Sequence, residues 1–430
     1  MTITFIGHGY VGLVSASVFA DLGNTVWVIG HTKEKIENLK RGIIPIYEPG
    51  LEEIVKRNIK AKKIFFTLDF DKAISQSSIV FLAVGTPPKD NGDADLSTIF
   101  EVAKKLAPYL NGYTVVATKS TVPVGTNKKI KEIINQLKPQ KAEFDIASVP
   151  EFLREGQAIL DTQSPDRVVI GTDSKKAETL LIELHKSIDG KYILTNVETA
   201  EMIKYAANAF LATKISFANS IAHLSELMET DGLKVLEAVG LDKRIGSFFL
   251  SPGAGFGGSC LPKDIKALIN IAKTKGYDFG LLREVNEVNN QSAKRIVEKS
   301  KKLLGGNLKG KTIAVLGLSF KPNTDDMRDA PSIEIIGGLK KGGAKIKAYD
   351  PIAMENAEKI LKGITFSKDC YQAVEDADLL IILTEWNEFR QVDLKKIKKL
   401  MRKPNIVDGR NIYDPQKTIE LGFNYLSVGR

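Results

Sequence analysis

The sequence predicts an α/β protein with two doubly wound parallel-sheet domains, joined by a long helix and an all-α central region. Three observations carry this. Short apolar runs alternate with amphipathic helical stretches over the first 170 residues, a 32-residue stretch without Gly or Pro follows from 198, and the alternation returns at 311. Continuous apolar strands separated by helices imply parallel sheets covered on both faces.

The first strands are TITFIG (2–7), TVWVIG (25–30), SIVFLAVG (78–85), YTVVATK (113–119), FDIASV (144–149) and RVVIG (167–171). Helical periodicity fills the gaps, as in STIFEVAKKLAPYL (97–110) and TNKKIKEIINQLK (126–138). The middle holds one long helix, ETAEMIKYAANAFLATKISFANSIAHLSELME (198–229), then helices over 266–275 and 282–304. The last strands are KTIAVLGLSF (311–320), AKIKAYDP (344–351), ADLLIILT (377–384) and KPNIVDG (403–409), with helices such as SIEIIGGLKK between them. The domains are therefore expected at 1–196, 197–305 and 306–430.

The bulk composition narrows the function classes. At 430 residues with 43% hydrophobic content, the chain has core enough for two to four domains without staples. Two cysteines, Cys260 and Cys370, build no disulfide framework and point to a reducing compartment, the cytoplasm. The N-terminus enters a strand pattern at once, unlike a signal peptide. No run reaches the ~18 apolar residues of a membrane span. The net charge is +9, but lysines alternate with glutamates at helical spacing, as in KEKIENLKRG (33–42). That reads as solvated faces, with no nucleic-acid partner, and a moderate positive field suits small polyanions such as nucleotides. Four histidines without a cysteine cluster argue against a zinc site, and no metal is expected.

GHGYVG (7–12) fits G-x-G-x-x-G and lies between a strand and a helix, where Gly7, Gly9 and Gly12 would permit a tight turn around a pyrophosphate. This makes the first domain Rossmann-like; the plain alternative is a glycine-rich βα turn. The acid expected after the second strand is missing: Gly30, His31, Thr32 and Lys33 occupy that corner. A carboxylate there would bind the adenosine ribose and repel a 2′-phosphate, so its absence removes a barrier to NADP. A relaxed NAD site is the competing reading. Thr86 and Thr118 end strands at the crevice and are candidate ligand contacts; Ser97 and Thr126 would otherwise serve as helix caps.

GAGFGGSC (253–260) runs into LPKD (261–264), and Pro262 suits the first turn of a helix. Cys260 would then sit at a helix N-terminus beside Lys263, where thiolate is favoured, delivered by a flexible glycine loop. Covalent catalysis on an aldehyde or thioester is one reading, a small buried residue after a hinge the other. Cys370 reads as packing. In PEFLREG (150–156), Glu151 and Glu155 are four apart; helical spacing would put them on one face, as acid and base or as a solvated helix start. Lys204 and Asn208 are also four apart in an apolar helix, so Lys204 is either desolvated and fit for oxyanion work or snorkels to solvent.

Together GHGYVG, IPIYEPGLEE (44–53), VGTPPKDNGDADLS (84–97), TKSTVPVGT (118–126), PEFLREG, EMIKYAANAF, GAGFGGSCLPKD and LGLSFKPNTDDMRDAPS (316–332) span nearly the whole chain. They resemble the nucleotide-sugar 6-dehydrogenase family. The resemblance implies an N-terminal NAD domain, a C-terminal UDP-binding domain and a homodimer formed through the helical middle. It implies oxidation of a sugar C6 alcohol to a carboxylate with two NAD per turnover, UDP-glucose being the implied substrate and GDP-mannose or a UDP-N-acetylhexosamine the alternatives. A nucleotide-binding regulator without turnover is the rival outside enzymes.

Carried over by motif, Cys260 would hold the thiohemiacetal and thioester, and Lys204 and Asn208 would stabilise the oxyanion. Asp264 would position water, Glu155 would assist hydrolysis and Thr118 would hold that water. Glu151, Phe152, Leu153, Arg244 (reaching across a dimer), Phe249, Gly253, Gly257, Lys321 and Arg410 would contact the nucleotide sugar. Gly7, Gly9, Tyr10, Val11, Gly12, Lys35, Thr86, Thr121, Glu155, Lys263 and Arg328 would contact NAD. Gly30 departs from the family's ribose-binding aspartate. TPP and ADLS within 86–97 resemble the UDP-glucose branch, and the Leu of SCLPKD occurs in GDP-mannose relatives.

Overall fold

The structure, a computed structural model, describes all residues Met1–Arg430. Two compact units divide the chain, Met1–Ala207 with Lys266–Ile271, and Asn208–Ile265 with Ala272–Arg430. The chain passes from the first to the second through helix Val197–Leu227.

The first unit holds eight strands: β1 (Thr2–Ile6), β2 (Thr25–Ile29), β3 (Ile64–Thr67), β4 (Ile79–Leu82), β5 (Tyr113–Thr118), β6 (Glu143–Ser148), β7 (Arg167–Gly171) and β8 (Lys191–Thr195). Their order is β3-β2-β1-β4-β5-β6-β7-β8. β4 is buried along its whole length, and β1, β2 and β5 are buried beyond their first residue, because helices cover both faces of the sheet. Chain order reverses between β1 and β4, the switch point where an open α/β sheet leaves a crevice at its carboxyl edge. One junction departs from the expected parallel sheet: β6 and β7 meet antiparallel through the single pair Ser148–Gly171, after which β8 pairs parallel with β7.

The second unit begins with helices, among them Gly232–Gly240, Leu261–Thr274 (whose residues 266–271 belong to the first unit) and Gly280–Leu303. Its sheet has β9 (Thr312–Leu316), β10 (Lys345–Tyr349), β11 (Thr365–Phe366), β12 (Leu379–Ile382), β13 (Asn405–Asp408) and β14 (Asn424–Ser427). The order β11-β10-β9-β12-β13-β14 is parallel throughout and switches between β9 and β12.

The ten strands expected from sequence all form. The four further strands, β3, β8, β11 and β14, are the four edges of the two sheets. An edge strand has a neighbour on one side only and needs no continuous apolar run: β8, KYILT, leaves Ile193 and Leu194 more than 40% exposed.

Candidate active site

In the first unit, helix Tyr10–Asp21 starts directly after the glycine turn, with Gly9 as N-cap, no side-chain cap and no acid in its first turn. Its first amides are therefore free for an anion. The three glycines divide their work. Gly7 has φ +121°, and a Cβ there would lie 2.3 Å from the Ala83 carbonyl oxygen; one on Gly12 would lie 2.2 Å from that of Gly7. Both are demanded by packing. A Cβ on Gly9 would meet nothing within 4 Å, so that position faces the open space a pyrophosphate would use. The residues present fit a dinucleotide.

Several of the residues expected to contact NAD lie in this unit. Val11 is half-buried in the helix's first turn, and Lys35 stands exposed in the first turn of helix Lys33–Lys40. Thr86 Oγ1 donates to the Thr121 carbonyl at 3.0 Å. The Gly156 amide donates to Tyr10 Oη at 2.9 Å and to Glu48 Oε2 at 2.6 Å, and the Ala158 amide donates to Glu48 Oε1 at 2.7 Å. Glu48, 4% exposed in IPIYEPG, thus ties PEFLREG beside the glycine turn. Burial, with His31 and Lys35 nearby, lowers the His8 imidazole to about 4, so it is neutral.

PEFLREG is not helical, which corrects the expectation that Glu151 and Glu155 share a helix face. Helix Ala158–Gln163 starts only after it, and Pro150 keeps the preceding residue extended. Glu151 is buried instead; its Oε2 accepts from the Leu153 amide at 2.8 Å and its Oε1 pairs with Lys204 Nζ at 3.0 Å. Glu155 is half-buried in the turn. Lys204 is 4% exposed, so it does not snorkel, and its ammonium lies 5.2 Å from the centre of the Phe152 ring. The carboxylate and ring offset the cost of burying that charge. The partly buried Leu153 packs on the core of the sheet.

Thr118 ends β5 fully buried, its Oγ1 accepting from Asn127 Nδ2 at 2.9 Å. Asn127 is held in turn by Glu201 Oε1, which accepts from its amide at 2.9 Å and its side chain at 2.8 Å; Glu201 Oε2 accepts from the Gly125 amide at 2.7 Å. The helix starts at Thr126 and the helix at Ser97 have Gly125 and Leu96 as N-caps, so neither hydroxyl serves as the cap. Lys119 is buried, its Nζ donating to the Val149 carbonyl at 3.4 Å; burial lowers its ammonium to about 8 against the pull of Glu151.

In the second unit Cys260 is half-buried and immediately precedes helix Leu261–Thr274. Asp264, 1% exposed in the first turn, accepts from Asn208 Nδ2 at 2.6 Å and pairs with Lys263 Nζ at 2.5 Å. Cys370, by contrast, is 3% exposed, and burial pushes its thiol up to about 11.

The loop before Cys260 is packed along its length, where the sequence reading expects a flexible glycine run. Residues 252–258 are all buried. The Gly253 amide donates to Asn219 Oδ1 (2.8 Å), Ala254 to the Gly409 carbonyl (3.0 Å), Phe256 to Asn289 Oδ1 (2.7 Å) and Gly258 to the Arg328 carbonyl (2.8 Å); Asn289 Nδ2 returns a bond to the Phe256 carbonyl at 3.0 Å. Glycine is needed for proximity: a Cβ on Gly257 would lie 2.2 Å from the Asp329 carbonyl oxygen, and one on Gly253 2.9 Å from that of Gly409. Phe249, leading into this loop, holds φ +64°, a strained conformation for an aromatic residue.

At the carboxyl edge of the second sheet, Arg410 Nε donates to the Leu383 carbonyl at 2.7 Å, and Arg410 lies against Gly253. Lys321 lies over the Phe320 ring at 5.3 Å. Arg328 makes a bidentate pair with Asp326, and Arg244, highly exposed, pairs with Asp242 in its own turn. Sequence reasoning missed Glu48, Lys119, Asn127, Glu201, Asn219 and Asn289. For Glu201 a signal existed, a carboxylate three residues before Lys204 in an apolar helix; the asparagines carry none.

Comparison with known proteins shows the family. The profile of the UDP-glucose/GDP-mannose dehydrogenase family matches in three parts: its NAD binding domain over residues 1–189, its central domain over 198–291 and its UDP binding domain over 314–415. UDP-glucose 6-dehydrogenase TuaD of Bacillus subtilis is 49% identical over 429 residues, covering 100% of this chain and 93% of that protein. The solved UDP-glucose dehydrogenase of the archaeon Pyrobaculum islandicum superposes with a TM-score of 0.93 at 35% identity, over 100% of this chain and 97% of its own. A UDP-D-ManNAc dehydrogenase of Pyrococcus horikoshii superposes at 0.89 with 29% identity, over 100% and 99%. With its glycine turn, its two switch-point crevices and its cysteine at a helix start, the chain belongs to the UDP-glucose/GDP-mannose dehydrogenase family.

Proposed function

We propose that this chain oxidises the C6 alcohol of UDP-glucose to the carboxylate of UDP-glucuronate, with two NAD reduced per turnover. The observation that carries the reading is Cys260 at the start of a helix whose first turn holds Asp264 between Asn208 and Lys263. NAD, when bound at the glycine turn, accepts hydride from C6.

In the first oxidation C6 loses a hydride and the hydroxyl its proton, giving an aldehyde. The Cys260 sulfur adds to that carbonyl, and the thiohemiacetal oxygen takes up a proton. Loss of a second hydride and that proton leaves a thioester. Water then attacks the acyl carbon, the C–S bond breaks, and the products are carboxylate and free thiol. Lys204 and Asn208 serve as cation and amide donor for the oxyanion at each addition. Glu151 holds the Lys204 ammonium in place at 3.0 Å. Asp264 orients water, Glu155 assists hydrolysis and Thr118 holds that water. Greater identity to UDP-glucose dehydrogenases than to the ManNAc enzyme supports glucose as the sugar.

Homodimerisation has its own support. Phe210, Phe217 and Leu224 repeat every seven residues along helix Val197–Leu227 and are 65%, 49% and 51% exposed, an apolar stripe suited to a second copy. No helix is long and apolar enough to cross a membrane. A reduced catalytic thiol suits the cytoplasm.

The test is NADH released per UDP-glucose consumed. Two supports double oxidation, whereas one implies a simple alcohol dehydrogenase. Cys260→Ala should abolish uronate formation; an unchanged yield would remove the covalent mechanism.

A further inference from the structure

The corner after β2 is built unlike one that holds a ribose through a carboxylate. A Cβ on Gly30 would lie 2.5 Å from Ile36 Cδ1 and 3.1 Å from His8 Nδ1, so the space an acidic side chain would fill is already taken. Ile36 is 1% and His8 4% exposed. His8 makes no hydrogen bond; its Nδ1 faces Gly30, and its ring stands 4.8 Å from that of His31. Thr32 is the N-cap of helix Lys33–Lys40, yet its hydroxyl makes no cap bond. The first helical bond runs from the Ile36 amide to the Thr32 carbonyl, so the amides of residues 33–35 have no helical partner. Lys35 lies close enough to lower the His8 imidazole, and forms no ion pair. Glu34, exposed, is the one carboxylate from 30 to 36.

The second sheet shows what an acid does at the matching position. Asp350, directly after β10, is fully buried and accepts from the amides of Leu318, Ser319, Ile352 and Ala353 and from Trp386 Nε1. Its oxygens are committed to the fold. After β2 no side chain plays that part, and hydroxyl, imidazole and ammonium remain for a ligand.

We propose that this corner accepts a 2′-phosphate, with His31, Thr32 and Lys35 as its ligands, so that the chain binds NADP as well as NAD. The proposal rests on the reading that the glycine turn holds a dinucleotide. A dianionic phosphate would find an ammonium, a hydroxyl, an imidazole and unpaired helix-start amides, with exposed Glu34 the one carboxylate of that turn. The 2′-hydroxyl of NAD would keep Thr32 as its partner.

The experiment is calorimetric titration of the full chain with adenosine 2′,5′-bisphosphate and with 5′-AMP, which differ only in the 2′-phosphate. The bisphosphate should bind about tenfold or more tightly, the worth of one good charge-assisted contact. Lys35→Ala should narrow that ratio, and Thr32→Asp should bring it to one or below. No preference for the bisphosphate in the unmodified chain, with NAD still binding, overturns this inference alone. Failure of NAD itself to bind overturns the dinucleotide reading beneath it.

Discussion

Glu201 offers the sharpest test of how the first unit is held together. It is 2% exposed, and its two oxygens accept three hydrogen bonds, from the Gly125 amide and from the amide and side chain of Asn127. The two amides are among the orphan donors at the start of helix Thr126–Leu137, whose N-cap, Gly125, has no side chain to offer. Glu201→Ala leaves three buried donors unpaired. At about 1–3 kcal/mol for each orphaned group, and allowing for relaxation, the loss should be about 3–5 kcal/mol. Glu201→Gln keeps one oxygen for Asn127 but turns an NH2 toward the Gly125 amide, and should cost about 2 kcal/mol. For a unit of this size each kcal/mol shifts Tm by roughly 2–4 °C, so calorimetry should show the alanine variant melting about 10 °C lower. Because Asn127 also orients Thr118, turnover should fall in both variants with KM less affected. An alanine variant melting within a degree of the parent would refute the reasoning.

Two further outcomes follow. Burial, aided by Lys119, lowers the His185 imidazole from 6.5 to about 3, its Nδ1 lying 2.8 Å from the Leu181 carbonyl. The unfolded chain takes up a proton near 6.5 while the folded one stays neutral, so this contribution is complete above pH 6.5 and declines as pH falls toward 3. The slope should approach 1.4 kcal/mol per pH unit, and His185→Leu should flatten it; parallel urea-midpoint profiles for both proteins would sink the idea. The glycines should separate stability from binding. Gly257→Ala forces a Cβ to 2.2 Å from backbone and should cost about 1–3 kcal/mol or more, whereas Gly9→Ala should melt like the parent and bind NAD about tenfold more weakly. Equal melting of the two variants would contradict that division.

Much of this was legible in the chain. The ten interior strands announce themselves because a strand with neighbours on both sides and helices on both faces must be apolar throughout. The edges did not: β11 is two residues long and β14 carries Asn and Ser, since half their surroundings are solvent or loop. Cys260 was placed correctly at a helix start because Pro262 and Asp264 mark the first turn. The packing of its loop is not legible because a glycine's neighbours come from distant sequence: the partners of 253–258 are residues 219, 289, 328 and 409. The arrangement of Glu151 and Glu155 escapes the sequence for a related reason. Spacing of four suggests a shared face only where the backbone is helical, and the tether from Glu48, a hundred residues upstream, holds a turn instead.

The anchoring of that loop has a consequence for synthesis. The Ala254 amide donates to the Gly409 carbonyl, and Arg410 lies against Gly253, so the support for the sulfur is completed only when the two residues after β13 have been made. A nascent chain lacking its final few dozen residues carries every residue of the first sheet, glycine turn included, but has no seat for its thiol. Nonsense or frameshift lesions near the 3′ end should therefore yield protein that captures dinucleotide and performs no oxidation to the acid.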